Sequence, residues 1–206
     1  YIFIIYVGGK MDFIFEFDTS IILFLKEYVN TPWLDPIMKF ISFLGNAGIF
    51  WIVLGCLLTF YKAKKQTGVK NLLVKGFGEN YNRSGAALLL AIAIGALIAN
   101  ILLKPTFARI RPYDALGLDI IIPPLHDYSF PSGHTVAAFA SASAIYGYNK
   151  KSGIILYAFG GLMGLSRLYL LVHYPTDVLA GAVIGFLSGK VALYIIKKLE
   201  PKIKAD

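Results

Sequence analysis

Three short polar stretches interrupt an otherwise oily chain, and their residue types fit phosphate chemistry. "SRLYLLVHYPTD" carries Arg167, His173 and, four residues after the histidine, Asp177. A carboxylate at that spacing can hold one imidazole nitrogen, fix its tautomer and leave the other as a nucleophile or base. Taken alone, such a pair is more often a structural hydrogen bond. "PSGH" places Ser132, Gly133 and His134 behind Pro131 at the head of an apolar run. Backbone N–H groups at a helix start lack intrahelical partners and, with the helix dipole, make an anion cradle. Gly133 lets an anion approach the backbone closely. "KPTFARIRP" supplies Lys104 and, seven residues on, Arg111. That is about two helical turns, although Pro105 is expected to break the helix between them. For Lys104 and Arg109 by themselves, snorkelling to lipid headgroups is the simpler account.

Together the three stretches supply three cations, two histidines, an orienting carboxylate and a helix-start cradle. Guanidinium groups suit planar oxyanions. One histidine could attack phosphorus while the other protonates the leaving oxygen, with the cations neutralising the equatorial oxygens. The single Cys56 lies in an apolar run, and no Cys/His ligand pattern is present. No metal and no cofactor are expected.

These groups need elements that hold them at one face of something. The chain has 206 residues, of which 57% are hydrophobic, against about 45–50% in soluble domains. Five stretches approach the roughly 20 apolar residues that cross a bilayer: 43–61, 84–103, 132–148, 152–172 and 178–196. Small residues such as Gly95, Gly160, Gly161, Gly164, Gly181 and Gly185 would let helices pack closely in lipid. The net charge of +8 would suggest nucleic acid in a soluble protein. Here the basic residues cluster between apolar runs, so no nucleic-acid partner is expected. Lys62, Lys64, Lys65, Lys70, Lys75, Arg83, Lys150, Lys151, Lys197, Lys198, Lys202 and Lys204 fall on one side of an alternating topology. Positive loops stay in the cytoplasm, so all three polar stretches face the periplasm or the extracellular space.

The expected fold is an all-α multi-pass transmembrane bundle of about five to six spans, forming one domain over residues 1–206. Residues 45–200 would be its catalytic core. Residues 11–44 read as amphipathic helices on the membrane surface, with Trp33 at headgroup level and Thr31 or Pro32 starting the second piece. The alternative is one further span at 13–29. Residues 1–10 read as a leader, an added segment or part of a shortened helix.

The ordered set K-x6-RP, PSGH and SR-x5-H-x3-D resembles the signature of the type 2 phosphatidic acid phosphatase (PAP2) superfamily, matched at every signature position. The resemblance implies a metal-independent phosphatase with a helical core. His173 would form a phosphohistidine, Asp177 would orient it, and His134 would be the general acid. Lys104, Arg111, Ser132, Gly133 and Arg167 would bind the phosphate. Small bacterial members of this kind resemble undecaprenyl pyrophosphate phosphatases or phosphatidylglycerophosphate phosphatases. The implied partner is a phospholipid or prenyl (pyro)phosphate in the membrane. Ile110 stands where the family often has proline, and Leu171 where glycine is common near the nucleophile; the latter would narrow the pocket. The apolar stretch 118–125 would either dip into the interface near the substrate or pack over the bundle. Rival readings are a lipid phosphotransferase, a haloperoxidase, whose known forms are larger and soluble, and a non-enzymatic anion-binding scaffold or transporter.

Overall fold

The computed structural model describes residues 10–60, 68–77 and 80–203. The expected leader falls almost wholly outside the described residues, as do Lys62, Lys64, Lys65 and Lys204. Among the described residues the chain is helical throughout, with no strand. Ten α-helices follow in order: α1 (Lys10–Phe24), α2 (Asp35–Leu44), α3 (Ile49–Phe60), α4 (Gly68–Phe77), α5 (Tyr81–Ala96), α6 (Lys104–Phe107), α7 (Pro112–Leu116), α8 (Gly133–Tyr146), α9 (Lys150–Tyr169) and α10 (Pro175–Ile203). Two π-helical segments, Leu25–Val29 and Leu97–Leu103, extend α1 and α5.

Helix α8 is the axis of the bundle. Its sequence, GHTVAAFASASAIY, is rich in Ala and Ser, and ten of its residues are buried. Small side chains let α5, α9 and α10 close around it. The tightest seam is with α10. A Cβ on Gly185 would lie 2.5 Å from the Val136 carbonyl oxygen, and one on Gly189 would lie 2.3 Å from the Ser143 Cβ. Only glycine permits that approach. Gly161, expected in such a seam, faces open space instead.

Among the described residues, three helical stretches are long and apolar enough to cross a membrane: Asp35–Phe60, Tyr81–Leu116 and Pro175–Leu199. Of the other stretches expected from sequence, 132–148 forms α8, a helix of 14 residues, shorter than the roughly 20 that cross a bilayer in one straight run. Helix α9 has 20 residues, but Lys150, Lys151 and Arg167 lie within it. The first stretch also starts earlier than residue 43. It runs through α2, turns at Ala47 (φ 50°) and Gly48 (φ 68°), and continues as α3. Helix α2 begins at Asp35 with Pro36 in its first turn, not at Thr31 or Pro32; the Thr31 carbonyl instead accepts from the Leu34 and Asp35 N–H groups in a preceding turn.

Pro105 does not interrupt its helix. It occupies the first turn of α6, directly after the π-helical segment, where a missing N–H costs little. The chain breaks later, at Ala108 (φ 43°) and at the extended Arg111 that precedes Pro112. Helix α1 departs from a surface helix with outward charges. Phe13, Phe17 and Phe24 are exposed, whereas Asp18 is completely buried.

The 118–125 stretch serves two purposes. Leu118, Ile120, Ile122 and Leu125 pack against Tyr113, Tyr169 and Val172 of the bundle. Its Ile121 and Ile122 also border a cavity at the end of the bundle.

Candidate active site

A cavity of about 690 Å³ opens at the end of the bundle where α2, α5, α8 and α9 meet. Of the residues singled out from sequence, Lys104, Arg111, Gly133, His134, Arg167 and His173 line it. Ser132 and Asp177 stand behind that wall, both fully buried.

His173 sits in the tight turn between α9 and α10. Leu171, two residues earlier, has φ 58°, a left-handed conformation that glycine adopts at far lower cost. This accounts for the glycine expected there. The Leu171 side chain does not narrow the cavity: it packs with Ile22 and Tyr174 on another side. The turn exposes the Val172 carbonyl to Arg111, whose Nη1 donates to it at 2.6 Å. The same Nη1 lies 3.4 Å from His173 Nε2. One guanidinium thus braces the turn and borders the imidazole. Burial drives the His173 pKa down to about 4; Asp177 opposes this, and the charges of Arg111 and Arg167 add to it. At neutral pH the ring is uncharged, with a lone pair available.

Asp177 lies in the first turn of α10. Its Oδ2 is 3.5 Å from His173 Nδ1, within electrostatic reach but too far for a good hydrogen bond, and Nδ1 is buried without a partner. The carboxylate is heavily engaged elsewhere. Oδ1 accepts from Arg109 Nη1 at 2.6 Å, and Oδ2 accepts from Ser129 Oγ at 2.5 Å and from the Tyr174 N–H at 2.9 Å. Arg109, assigned to lipid headgroups from sequence, in fact spans two buried carboxylates. Its Nη2 donates to Asp18 Oδ2 at 2.6 Å, and its guanidinium stacks 3.9 Å from the Tyr174 ring centroid. Asp18 also accepts from the Thr176 N–H at 3.0 Å and from the Thr176 hydroxyl.

The start of α8 differs in detail from the expected cradle. Ser132 is its N-cap, and the Ser132 N–H is taken by the Asp177 carbonyl at 3.1 Å. The Ser132 hydroxyl accepts from Thr135 Oγ1 at 3.0 Å. Gly133 and His134 are the first helical residues, whose N–H groups have no acceptor within the helix. The His134 Nε2 lies 3.2 Å from Asn46 Oδ1, and the ring abuts Gly45, where a Cβ would come within 2.5 Å of His134 Cδ2.

Arg167 is 3% exposed and donates through Nη1 to the Ser42 hydroxyl. Its Nε is buried with no hydrogen-bond partner, a costly arrangement. Lys104 and Arg111 converge on Asp127. Lys104 Nζ donates to Asp127 Oδ2, and Arg111 Nη2 donates to Oδ1 at 2.6 Å. Burial would raise the Asp127 pKa, but the hydrogen bonds and charges of Lys104 and Arg111 outweigh it and hold it at about 2.

Sequence reasoning missed Asp127, Asp18, Ser42 and Asn46. Asp127 carried one signal, its place two residues before Ser129 on the approach to PSGH. The other three lie more than 50 residues before the nearest signature stretch and gave none.

As chemistry, the cavity offers fixed cations, a helix start and, in its wall, an uncharged imidazole. That set can bind a phosphoryl group and attack it in line. The model of the PAP2 superfamily matches residues 84–201. Undecaprenyl-diphosphatase BcrC of Bacillus subtilis is 35% identical over 113 residues, which are 55% of this chain and 58% of that protein. The undecaprenyl-diphosphatase of Sulfolobus acidocaldarius is 28% identical over 211 residues, covering 99% of this chain and 92% of the relative. The crystal structure of Aquifex aeolicus LpxE superposes with a TM-score of 0.66 at 26% identity, covering 93% of this chain and 99% of that one.

Proposed function

The chain belongs to the PAP2 superfamily, and on that premise we propose that it is an integral-membrane lipid phosphatase working through a phosphohistidine. Undecaprenyl pyrophosphate is the preferred substrate, a choice supported by the similarity to one undecaprenyl-diphosphatase along nearly the whole chain and to another over about half of it. The observation that carries the reading is the juxtaposition of His173 Nε2 with Arg111 Nη1 at 3.4 Å, in a cavity that Lys104, Arg167 and His134 also line. An imidazole beside fixed cations can attack the phosphorus that those cations hold.

In the first step Nε2 of His173 forms a bond to the terminal phosphorus while the bond to the bridging oxygen breaks. His134 gives that oxygen a proton, so lipid monophosphate leaves. In the second step water attacks the phosphohistidine, His134 takes its proton back, and Nε2 is released with inorganic phosphate. Asp177 stabilises the positive charge that the His173 ring carries in between. Lys104, Arg111, Arg167 and the Gly133 and His134 N–H groups neutralise the phosphoryl oxygens. Ser132 acts indirectly, its backbone N–H tying the start of α8 to the Asp177 carbonyl. Because side chains of this chain supply the charge, turnover is expected to persist in EDTA.

The proposed sidedness follows from the basic loops: the cavity faces the periplasm or extracellular space, and the C-terminus the cytoplasm. Residues 1–206 form one unit in this reading, and α1 and α2 belong to the catalytic part of it through Asp18 and Ser42.

The test is phosphate release by detergent-solubilised protein with EDTA, using undecaprenyl pyrophosphate, phosphatidylglycerophosphate, phosphatidic acid and a soluble ester. Fastest turnover of the prenyl diphosphate, with none by His173→Ala, is expected. Preference for phosphatidylglycerophosphate or phosphatidic acid would move the assignment to that lipid. Phosphate appearing on an added acceptor alcohol in place of water would make the protein a phosphotransferase. Equal activity of His173→Ala and wild type would end the enzyme reading.

A further inference from the structure

Two of the cations proposed to bind phosphate already hold an anion that belongs to the chain. The two carboxylate oxygens of Asp127 are divided between them, Oδ2 on Lys104 Nζ and Oδ1 on Arg111 Nη2. A phosphoryl group would present two of its oxygens to the same pair of donors. Asp127 borders the same cavity as His173 and Arg167. One carboxylate cannot satisfy all the donors there, and Arg167 Nε stays without a partner.

The exposures of the three side chains are unequal. Lys104 and Arg111 are 10% and 3% exposed, whereas Asp127 is 55% exposed. The cations are fixed in the wall, and the carboxylate alone has a path to water. Its backbone is tethered independently of its side chain: Arg111 Nε donates to the Asp127 carbonyl at 2.9 Å. Rotation of the Asp127 side chain would therefore free both cations without unravelling the loop. The carboxylate also stays charged at any working pH, since its two partners hold its pKa at about 2.

We propose that Asp127 is an internal competitor for the phosphate site, occupying Lys104 and Arg111 until the phosphoryl group of the substrate displaces it. The inference rests on the phosphatase reading above. Its consequence is a specificity threshold. A ligand must gain more from Lys104, Arg111, Arg167 and the start of α8 than one carboxylate gains from two cations. A terminal phosphate with two negative charges does so.

The test is direct binding of orthovanadate, a phosphate mimic, to wild type, Asp127→Asn and Asp127→Glu in detergent. Asp127→Asn keeps the shape and removes the competing charge, so its Kd should fall about ten-fold or more. Asp127→Glu retains an anion and should bind as weakly as wild type or more weakly. Unchanged or weaker binding by Asp127→Asn, with its thermal unfolding unaltered, overturns the proposal and makes Asp127 a positioning residue for the two cations. If Asp127→Asn loses its fold, the exposed Asp127→Ser variant replaces it under the same criterion. Vanadate binding is read without turnover, so the two ideas fail separately. An inactive wild type with tighter vanadate binding by Asp127→Asn would sink only the lipid phosphatase reading.

Discussion

Arg109 Nη1 donates to Asp177 Oδ1 at 2.6 Å, while its Nη2 donates to Asp18 at the same distance. The guanidinium therefore links helix α1 to the carboxylate behind His173. Removing it leaves two buried carboxylates facing each other with reduced compensation. Breaking a buried charge network of this kind costs roughly 3–5 kcal/mol. We expect Arg109→Ala to lower the apparent Tm in detergent by about 10 °C and kcat by about ten- to a hundred-fold. KM should move little, because Arg109 does not line the cavity. Arg109→Lys should not restore kcat, since one ammonium lacks the fork that reaches both carboxylates. A wild-type kcat in Arg109→Ala would show that Asp177 needs no such support.

His173 and His134 should separate by leaving group. His173→Ala is expected to lose on the order of a thousand-fold or more in turnover on every substrate, because no bond to phosphorus can form. His134→Ala should retain most of its rate on an aryl phosphate, whose oxygen leaves without a proton, and lose about a hundred-fold on an alkyl ester. Rapid acid-free quench with labelled substrate should trap phosphohistidine in wild type and accumulate it in His134→Ala. Equal losses on both esters would remove His134 from the acid role.

The pH dependence follows from the burial of His173. Its pKa in the folded protein is about 4, against an ordinary 6.5. As pH falls through that interval the unfolded chain takes up the proton first. The stability associated with the neutral ring is thus complete above about 6.5 and lost progressively toward 4. The groups facing the ring are Arg111, Arg167 and Asp177. In the free enzyme kcat/KM for an aryl ester, corrected for ionisation of the ester itself, should hold constant below pH 6.5 and bend down only near 4. A bend near 6.5 would mean that solvent reaches the ring.

Gly45 provides a test of how His134 is placed. Its φ of −90° suits alanine, so Gly45→Ala carries no backbone strain. The added methyl would nevertheless fall 2.5 Å from His134 Cδ2 and 2.2 Å from the Met163 Sδ. The Met163 chain can yield, while the ring must tilt. We expect about a ten-fold loss in kcat on alkyl esters, a smaller loss on aryl esters, and a Tm within a few degrees of wild type. Uniform loss on both ester classes would place the damage outside His134.

The sequence by itself determined the helical class, the apolar stretches and the residues that surround the cavity. It could do so because apolar run length is a local property, and because the signature residues have chemistry that hydrocarbon does not tolerate without a reason. Arg167 stood out for that cause, and His173 for its spacing from Asp177. Only the tertiary structure decided which charges meet. Arg109 looked like a snorkelling cation because its partners, Asp18 and Asp177, lie 91 and 68 residues away. Asp127 went unnoticed because nothing local reveals that Lys104 and Arg111 converge on it. The apolar stretches were legible in the sequence, but which of their faces meet lipid and which meet other helices was not. Hydropathy reports how apolar a segment is, and a helix buried among other helices is as apolar as one that meets lipid.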